Sequence, residues 1–264
     1  MKNKMKTIIK IGVSLAFAML IPFSMGSCSS KKNRAAVKLV HAIQENNIDE
    51  VRHLLEEGID PNVPTFPESK FNAFMQKKFE VGSPTYPLAV ACSRNDYEIV
   101  KLLIDYGATT DFSDKSGRSP LNIVVTLYYR SDSLRIVELL LENGADVYHK
   151  DNGCYPVEEV ARMYSQKYDP QKKNGSYVED GYDEETAKGI TQIVKMLLEK
   201  MPDYNINEES FTLLMRAAIR GNIDLAEYLL SIGADKTIKD SKGKTAYDYA
   251  IENGHNELAE LLKP

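Results

Sequence analysis

The sequence predicts an all-α solenoid of about six helix-turn-helix repeats, joined by β-hairpin fingers and interrupted by two insertions. The first observation is a fixed offset of 33 residues between two stretches near the end of the chain. The residues that match at this offset are Thr212 with Thr245, Ala217 with Ala250, and Gly221 with Gly254. The second is that threonine suits a helix N-cap, whereas glycine suits the left-handed turn that ends a helix. One such unit cannot bury its apolar face alone, so the repeats must stack.

The period and the repeated residues resemble the ankyrin repeat, and the resemblance covers nearly everything after Arg34. It implies hairpin tips and first-helix faces that form a continuous concave surface for binding other proteins. The family's histidine after the Pro-Leu pair is missing. Its place is taken by Ala89, Asn122, Glu158, Met215 and Asp248. We therefore expect the hydrogen bonds that this histidine makes between repeats to be replaced or lost.

The repeats follow one another from residue 35. The first has helices near 35–44 and 48–57, and an insertion at about 64–83 follows it. The second and third begin at Pro87 and Pro120, 33 residues apart, because proline suits the first helical turn. The fourth begins at Pro156 and holds the second insertion, at about 166–184. The fifth and sixth are the aligned pair.

The N-terminal segment is typical of a secretory signal. Four lysines precede an apolar run from Ile11 to Phe23, which is shorter than the roughly 20 residues of a membrane-spanning helix. The run ends in Ser24-Met-Gly-Ser-Cys28, which resembles a bacterial lipobox. This implies a lipoprotein-type signal peptide over 1–27, lipid attachment at Cys28, a tether over 28–34 and a repeat domain over 35–264. The alternative is simple cleavage near Gly26 or Ser27.

The lipobox implies a bacterial envelope protein, anchored by lipid and facing the periplasm or the exterior, without deciding between inner and outer membrane. Removal of residues 1–27 takes away four lysines and changes the formal net charge from −5 to −9. Nucleic-acid binding depends on clustered Lys and Arg, so nucleic acid is excluded as a partner. We expect a monomer whose partner is a neutral or basic protein.

The sequence holds no familiar catalytic or metal-binding motif. It lacks Cys-x-x-Cys, His-x-x-x-His, His-Glu-x-x-His and a phosphate loop, so we expect no enzyme activity, no cofactor and no metal. His255 stands where the family carries a structural histidine. Cys92 is predicted to point into the core and Cys154 to lie near a hairpin tip, too far apart for a disulfide.

The predicted function is a non-catalytic protein-protein interaction module, acting as a scaffold or as an inhibitor or immunity protein. Aligning the repeats places candidate partner-binding residues on two fingers and on first-helix faces. They are Phe112, Lys115 and Arg118; Tyr148, His149, Asp151 and Asn152; and Arg94, Leu127 and Arg220. Aromatic residues and arginines anchor interfaces. One alternative is a hydrolase or metal-dependent enzyme built on the 166–184 insertion; another is a passive structural spacer.

Overall fold

The computed structural model describes residues 25–65, 86–112, 118–128, 130–165, 184–208 and 211–264. Twelve helices lie in these ranges, as six consecutive pairs. They are α1 (Met25–Gln44), α2 (Ile48–Glu56), α3 (Pro87–Arg94), α4 (Tyr97–Asp105), α5 (Pro120–Val125), α6 (Ser133–Glu142), α7 (Pro156–Ser165), α8 (Glu184–Glu199), α9 (Leu213–Arg220), α10 (Ile223–Ser231), α11 (Ala246–Glu252) and α12 (Asn256–Leu262). The predicted all-α repeat fold is confirmed.

The predicted β-hairpin fingers are turns rather than strands in the described ranges. One isolated antiparallel bridge, between Asp151 and Cys154, is the β pairing found there. Asn152 and Gly153 close this bridge with positive φ angles of 49° and 84°. The two residues between the bridge partners form a tight turn, and the flanking chain returns to helices too soon for a ladder to grow.

The chain divides into two compact units, Met1–Pro87 and Leu88–Pro264. In the first unit, Leu39 and Ile43 of α1 and Val51 of α2 are fully buried. The helix α1 begins at Met25 and so includes the segment predicted as a tether. No glycine or proline occurs from residue 27 to residue 44, so nothing in the sequence stops the helix from extending upstream. No helix in the described ranges is long and apolar enough to cross a membrane.

The second unit stacks its helices in two layers. The first helices α5, α7, α9 and α11 contact one another in sequence order, and the second helices α4, α6, α8 and α10 do the same. Ala217 and Ala250, the aligned alanines of α9 and α11, are completely buried. Small side chains let the first helices approach closely, as the repeat pattern predicts.

The predicted helix caps are confirmed. The hydroxyl oxygen of Thr212 accepts a hydrogen bond from the backbone N–H of Met215, and that of Thr245 accepts one from Asp248. Gly221 ends α9 in the left-handed conformation, at φ 71°. In the second repeat Asn95 takes this place, at φ 58°, because asparagine tolerates the left-handed region better than other non-glycine residues.

Cys92 and Cys154 lie as predicted. Neither Cys92 nor Cys154 is in a disulfide. Cys92 is completely buried in α3, and this burial raises the pKa of its thiol. Cys154 is half-buried at the bridge. Residues 1–24, most of the 64–83 insertion, and residues 166–183 of the second insertion lie outside the described ranges.

Candidate functional site

The residues that replace the missing family histidine bond to the following repeat in two cases. Asn122, which is fully buried, caps α5 together with Ser119 and donates from Nδ2 to the carbonyl oxygen of His149 at 3.4 Å. Glu158, which is 6% exposed, accepts from the Tyr155 backbone N–H at 2.9 Å and from the Tyr204 hydroxyl at 2.9 Å. These bonds therefore take over part of the inter-repeat role that the histidine would have played.

Three tyrosines meet beside Glu158, and we call Tyr148, Tyr155 and Tyr204 the tyrosine cluster. The rings of Tyr148 and Tyr155 meet edge to face at a centroid distance of 6.1 Å, and those of Tyr155 and Tyr204 at 5.7 Å. The Lys150 ammonium lies 4.1 Å from the centroid of the Tyr155 ring. Edge-to-face packing stabilises such a group by about 0.5–1.5 kcal/mol per pair beyond the buried area.

The cluster is only partly covered. Tyr148 is 42% exposed, while Tyr155 and Tyr204 are half-buried. It joins three parts of the chain: the finger between the third and fourth repeats, the residue before α7, and the loop after α8. The arrangement gives a rigid aromatic surface with one cation above it.

A second aromatic pair lies two repeats further along. Phe211 and Tyr249 pack edge to face at 5.5 Å, and the Tyr249 hydroxyl donates to Asp240 Oδ2 at 2.6 Å. Burial, followed by this hydrogen bond, raises the pKa of Tyr249 to about 12, and the same bond lowers the pKa of Asp240. The phenol is therefore neutral at physiological pH and holds the Asp240 turn against α11.

Four predicted residues lie on the finger between the third and fourth repeats. Tyr148 belongs to the tyrosine cluster, and Asn152 is exposed at the tip. His149 is half-buried, and its carbonyl oxygen receives the Asn122 amide. The prediction that Asp151 faces a partner is corrected. Asp151 is only 6% exposed and its carboxylate accepts a hydrogen bond from the Asn152 side chain at 2.9 Å, so it shapes the turn.

The other predicted residues lie elsewhere in the chain. Arg94 and Arg118 are exposed, whereas Phe112, Leu127 and Arg220 are half-buried. The carbonyl oxygen of Arg94 accepts from the Arg130 guanidinium at 3.3 Å. Lys115 lies outside the described residues.

The sequence analysis missed Tyr155, Tyr204 and Lys150 as members of the site. Tyr155 carried only a weak signal: Ser119, Thr212 and Thr245 cap the first helices of three aligned repeats at this position, but Tyr86 fills it in the second repeat. A tyrosine at this position does not by itself mark a site. Tyr204 follows the irregular Met201-Pro202 turn, so the repeat pattern does not predict where its ring lies.

His255 has the structural role that was predicted for it. Its Nε2–H donates to the carbonyl oxygen of Ile219 at 3.2 Å, in the preceding repeat. The ring lies directly over Gly221, so that a Cβ at that glycine would be 2.5 Å from Nδ1. In the described part of the chain, no group of three or more His, Cys, Asp or Glu side chains is arranged to hold a metal ion.

Known proteins match this chain over most of its length. The family described as "Ankyrin repeats (3 copies)" matches residues 67–151 and 186–264. The ankyrin repeat protein nuc-2 of Neurospora crassa is 30% identical over 181 residues, which is 67% of this chain and 14% of that protein. An ankyrin repeat protein of Rickettsia bellii is 34% identical over 146 residues, covering 49% of this chain and 58% of its own length.

The human SH3 and multiple ankyrin repeat domains protein 2 is 27% identical over 238 residues, which is 86% of this chain and 12% of that protein. This chain thus spans less than two thirds of each of these relatives. The matched family stretches cover more than half of the chain and carry the repeated caps, glycines and helix pairs described above. The chain therefore belongs to the ankyrin-repeat family, whose repeats are protein-protein interaction modules.

Proposed function

We propose that this protein is a non-catalytic binding module of the bacterial cell envelope, anchored by lipid on Cys28, that binds a partner protein through the tyrosine cluster. The observation that carries the binding part is the exposed edge of Tyr148 on a packed group of three rings. In this proposal the solenoid faces the periplasm or the exterior and acts as a scaffold or an inhibitor.

The geometry of the cluster suits a binding surface. Tyrosine offers a large contact area with few rotatable bonds, and it is enriched among the residues that dominate binding energy. The bond from Tyr204 to buried Glu158 fixes one ring, and the edge-to-face contacts fix the other two. A surface that is already ordered loses little conformational entropy on binding, which favours affinity.

The anchoring part rests on the sequence. The basic start, the short apolar run and the small residues before Cys28 together form the pattern of a lipoprotein leader. An acyl anchor would hold the module at the membrane without a spanning helix. The net negative charge of the repeats favours a neutral or basic partner.

We expect Tyr148→Ala to weaken partner binding by about tenfold or more, because truncation of an anchor residue in an interface costs roughly 2 kcal/mol. The matched control is Tyr106→Ala, since Tyr106 is 39% exposed but lies at the end of α4, outside the cluster. The measurement is quantitative capture from the membrane fraction, followed by titration of the purified partner against each variant.

Two results would contradict the binding proposal. If the two tyrosine variants lose affinity equally, the cluster is not the interface. If the wild-type protein captures no partner at stoichiometric yield, the passive-spacer alternative is favoured.

We expect the protein to incorporate an alkyne-tagged fatty acid when it is expressed in bacteria, and Cys28→Ser to abolish this labelling. Cys154→Ser is the control, because it removes a half-buried thiol that lies far along the chain from the leader. Label that persists in Cys28→Ser, or its absence from the wild type, would exclude acylation at Cys28 while leaving the binding part to be judged by the capture experiment.

A further inference from the structure

Helix α1, the first helix in the described ranges, carries basic residues and no acidic ones. All 38 acidic residues lie after Gln44, whereas eight of the 33 lysines and arginines precede it. Four of those eight, Lys31, Lys32, Arg34 and Lys38, fall within α1. The formal charge of residues 45–264 is therefore −13. Charge is strongly segregated along the sequence, and the change of sign coincides with the end of one helix.

The described basic residues of α1 share one face. Arg34 and Lys38 are exposed and four residues apart, while Ala36 and Leu39 lie on the opposite, buried face against α2. The helix begins at Met25, so Lys31 and Lys32 also fall within α1, three and two residues before Arg34. The first acid, Glu45, follows the helix and pairs with His41 at 3.3 Å.

A groove of about 710 Å³ opens beside these cations. Arg34, Ala35 and Lys38 line one side, and Leu54, Glu57 and Ile59 line the other. Glu57 is the acid in this lining, and its carboxylate lies 3.8 Å from His53 Nδ1. Apolar surface next to exposed cations is the combination that binds the headgroup region of a bilayer.

We propose that α1 lies against anionic phospholipid and forms a second, electrostatic contact between the protein and the membrane. The inference rests on the proposed membrane location and does not require that Cys28 carries lipid. A basic segment near the membrane adds roughly 1 kcal/mol of binding free energy per Lys or Arg at an anionic surface. The anionic surface repels the acidic repeats and attracts α1. Both effects favour α1 as the part of the protein that contacts the membrane.

The test is amine acylation of the full chain reconstituted in vesicles, with the rate at each lysine read by mass spectrometry. Lys38 is compared with Lys239, which is exposed in the last finger. In vesicles with about one third phosphatidylglycerol, we expect acylation of Lys38 to slow roughly fivefold to tenfold relative to Lys239. The protection is expected to vanish in pure phosphatidylcholine and at about 1 M salt, where the Debye length is about 3 Å.

The charge-reversal variant Arg34→Glu is expected to restore most of the Lys38 rate. Arg52→Glu is the matched control, because it makes the same charge change at an exposed residue of α2 that does not line the groove. Equal rates for Lys38 in anionic and neutral vesicles, or an equal effect of both variants, would overturn the inference. If Lys38 is protected in Cys28→Ser, the contact of α1 with phospholipid is supported even if Cys28 carries no lipid. If Cys28 is labelled by fatty acid but Lys38 is unprotected, the contact of α1 is overturned and the lipid anchor stands.

Discussion

Gly221→Ala is expected to lower the free energy of unfolding by about 2–5 kcal/mol, because two costs coincide at this residue. The backbone φ of 71° is strained for any residue with a Cβ. The new Cβ would also lie 2.5 Å from His255 Nδ1, and the ring cannot shift without loss of its bond to Ile219. Thermal unfolding followed by circular dichroism should show a fall in Tm of about 4–20 °C, at about 2–4 °C per kcal/mol.

Gly254→Ala separates the two costs. Gly254 has a φ of 78°, and nothing lies within 4 Å of a Cβ built there, so only the backbone strain of about 1–2 kcal/mol is expected. The clash itself is isolated by a double-mutant cycle with His255→Ala, in whose background Gly221→Ala should cost no more than Gly254→Ala. An equal cost of Gly221→Ala in both backgrounds would show that the histidine ring does not restrict this position.

Asn222→Ala is expected to cost about 2–4 kcal/mol, since one buried side chain serves both a cap and a neighbouring repeat. Its Oδ1 accepts the Leu225 N–H at 2.9 Å, and its Nδ2 donates to Thr191 Oγ1 at 3.1 Å and to the Ala187 carbonyl at 3.3 Å. The side chain is 5% exposed, so water cannot easily take over these bonds. Urea unfolding at constant m-value measures the loss.

The matched control is Asp96→Ala, at the same place before the second helix of the second repeat. Asp96 caps α4 through one bond, from the Ile99 N–H at 3.0 Å, so its loss should cost about 1 kcal/mol. In a Thr191→Val background, the cost of Asn222→Ala should fall by about 1 kcal/mol. Equal losses for Asn222→Ala and Asp96→Ala would mean that the inter-repeat bonds contribute nothing net.

The features that sequence reasoning predicted are local ones. A threonine three residues before its N–H donor is a cap wherever the segment lies, and this is why Thr212 and Thr245 were assigned correctly. The glycines that end helices and the small alanines between first helices follow from the same 33-residue pattern. Each of these signals is complete within one repeat or one offset.

The features that it missed depend on distant contacts. Tyr155 and Tyr204 lie on opposite sides of the second insertion in the sequence, and only the stacking of repeats brings their rings to 5.7 Å. Asp151 looks like a polar tip residue, yet the bridge to Cys154 turns it inward. The early start of α1 was missed because the lipobox led to residues 28–34 being assigned to a tether. Helix formation depends on the local residues and continues through this segment.

The two inter-repeat hydrogen bonds that replace those of the family histidine place different constraints on sequence variation. Asn122 donates to a backbone carbonyl, which any residue at position 149 supplies, so that position is free to vary without loss of the bond. Glu158 accepts from the side-chain hydroxyl of Tyr204, so loss of that hydroxyl removes one of the hydrogen bonds of a buried carboxylate. Related sequences should therefore exchange residues 158 and 204 together and residue 149 alone.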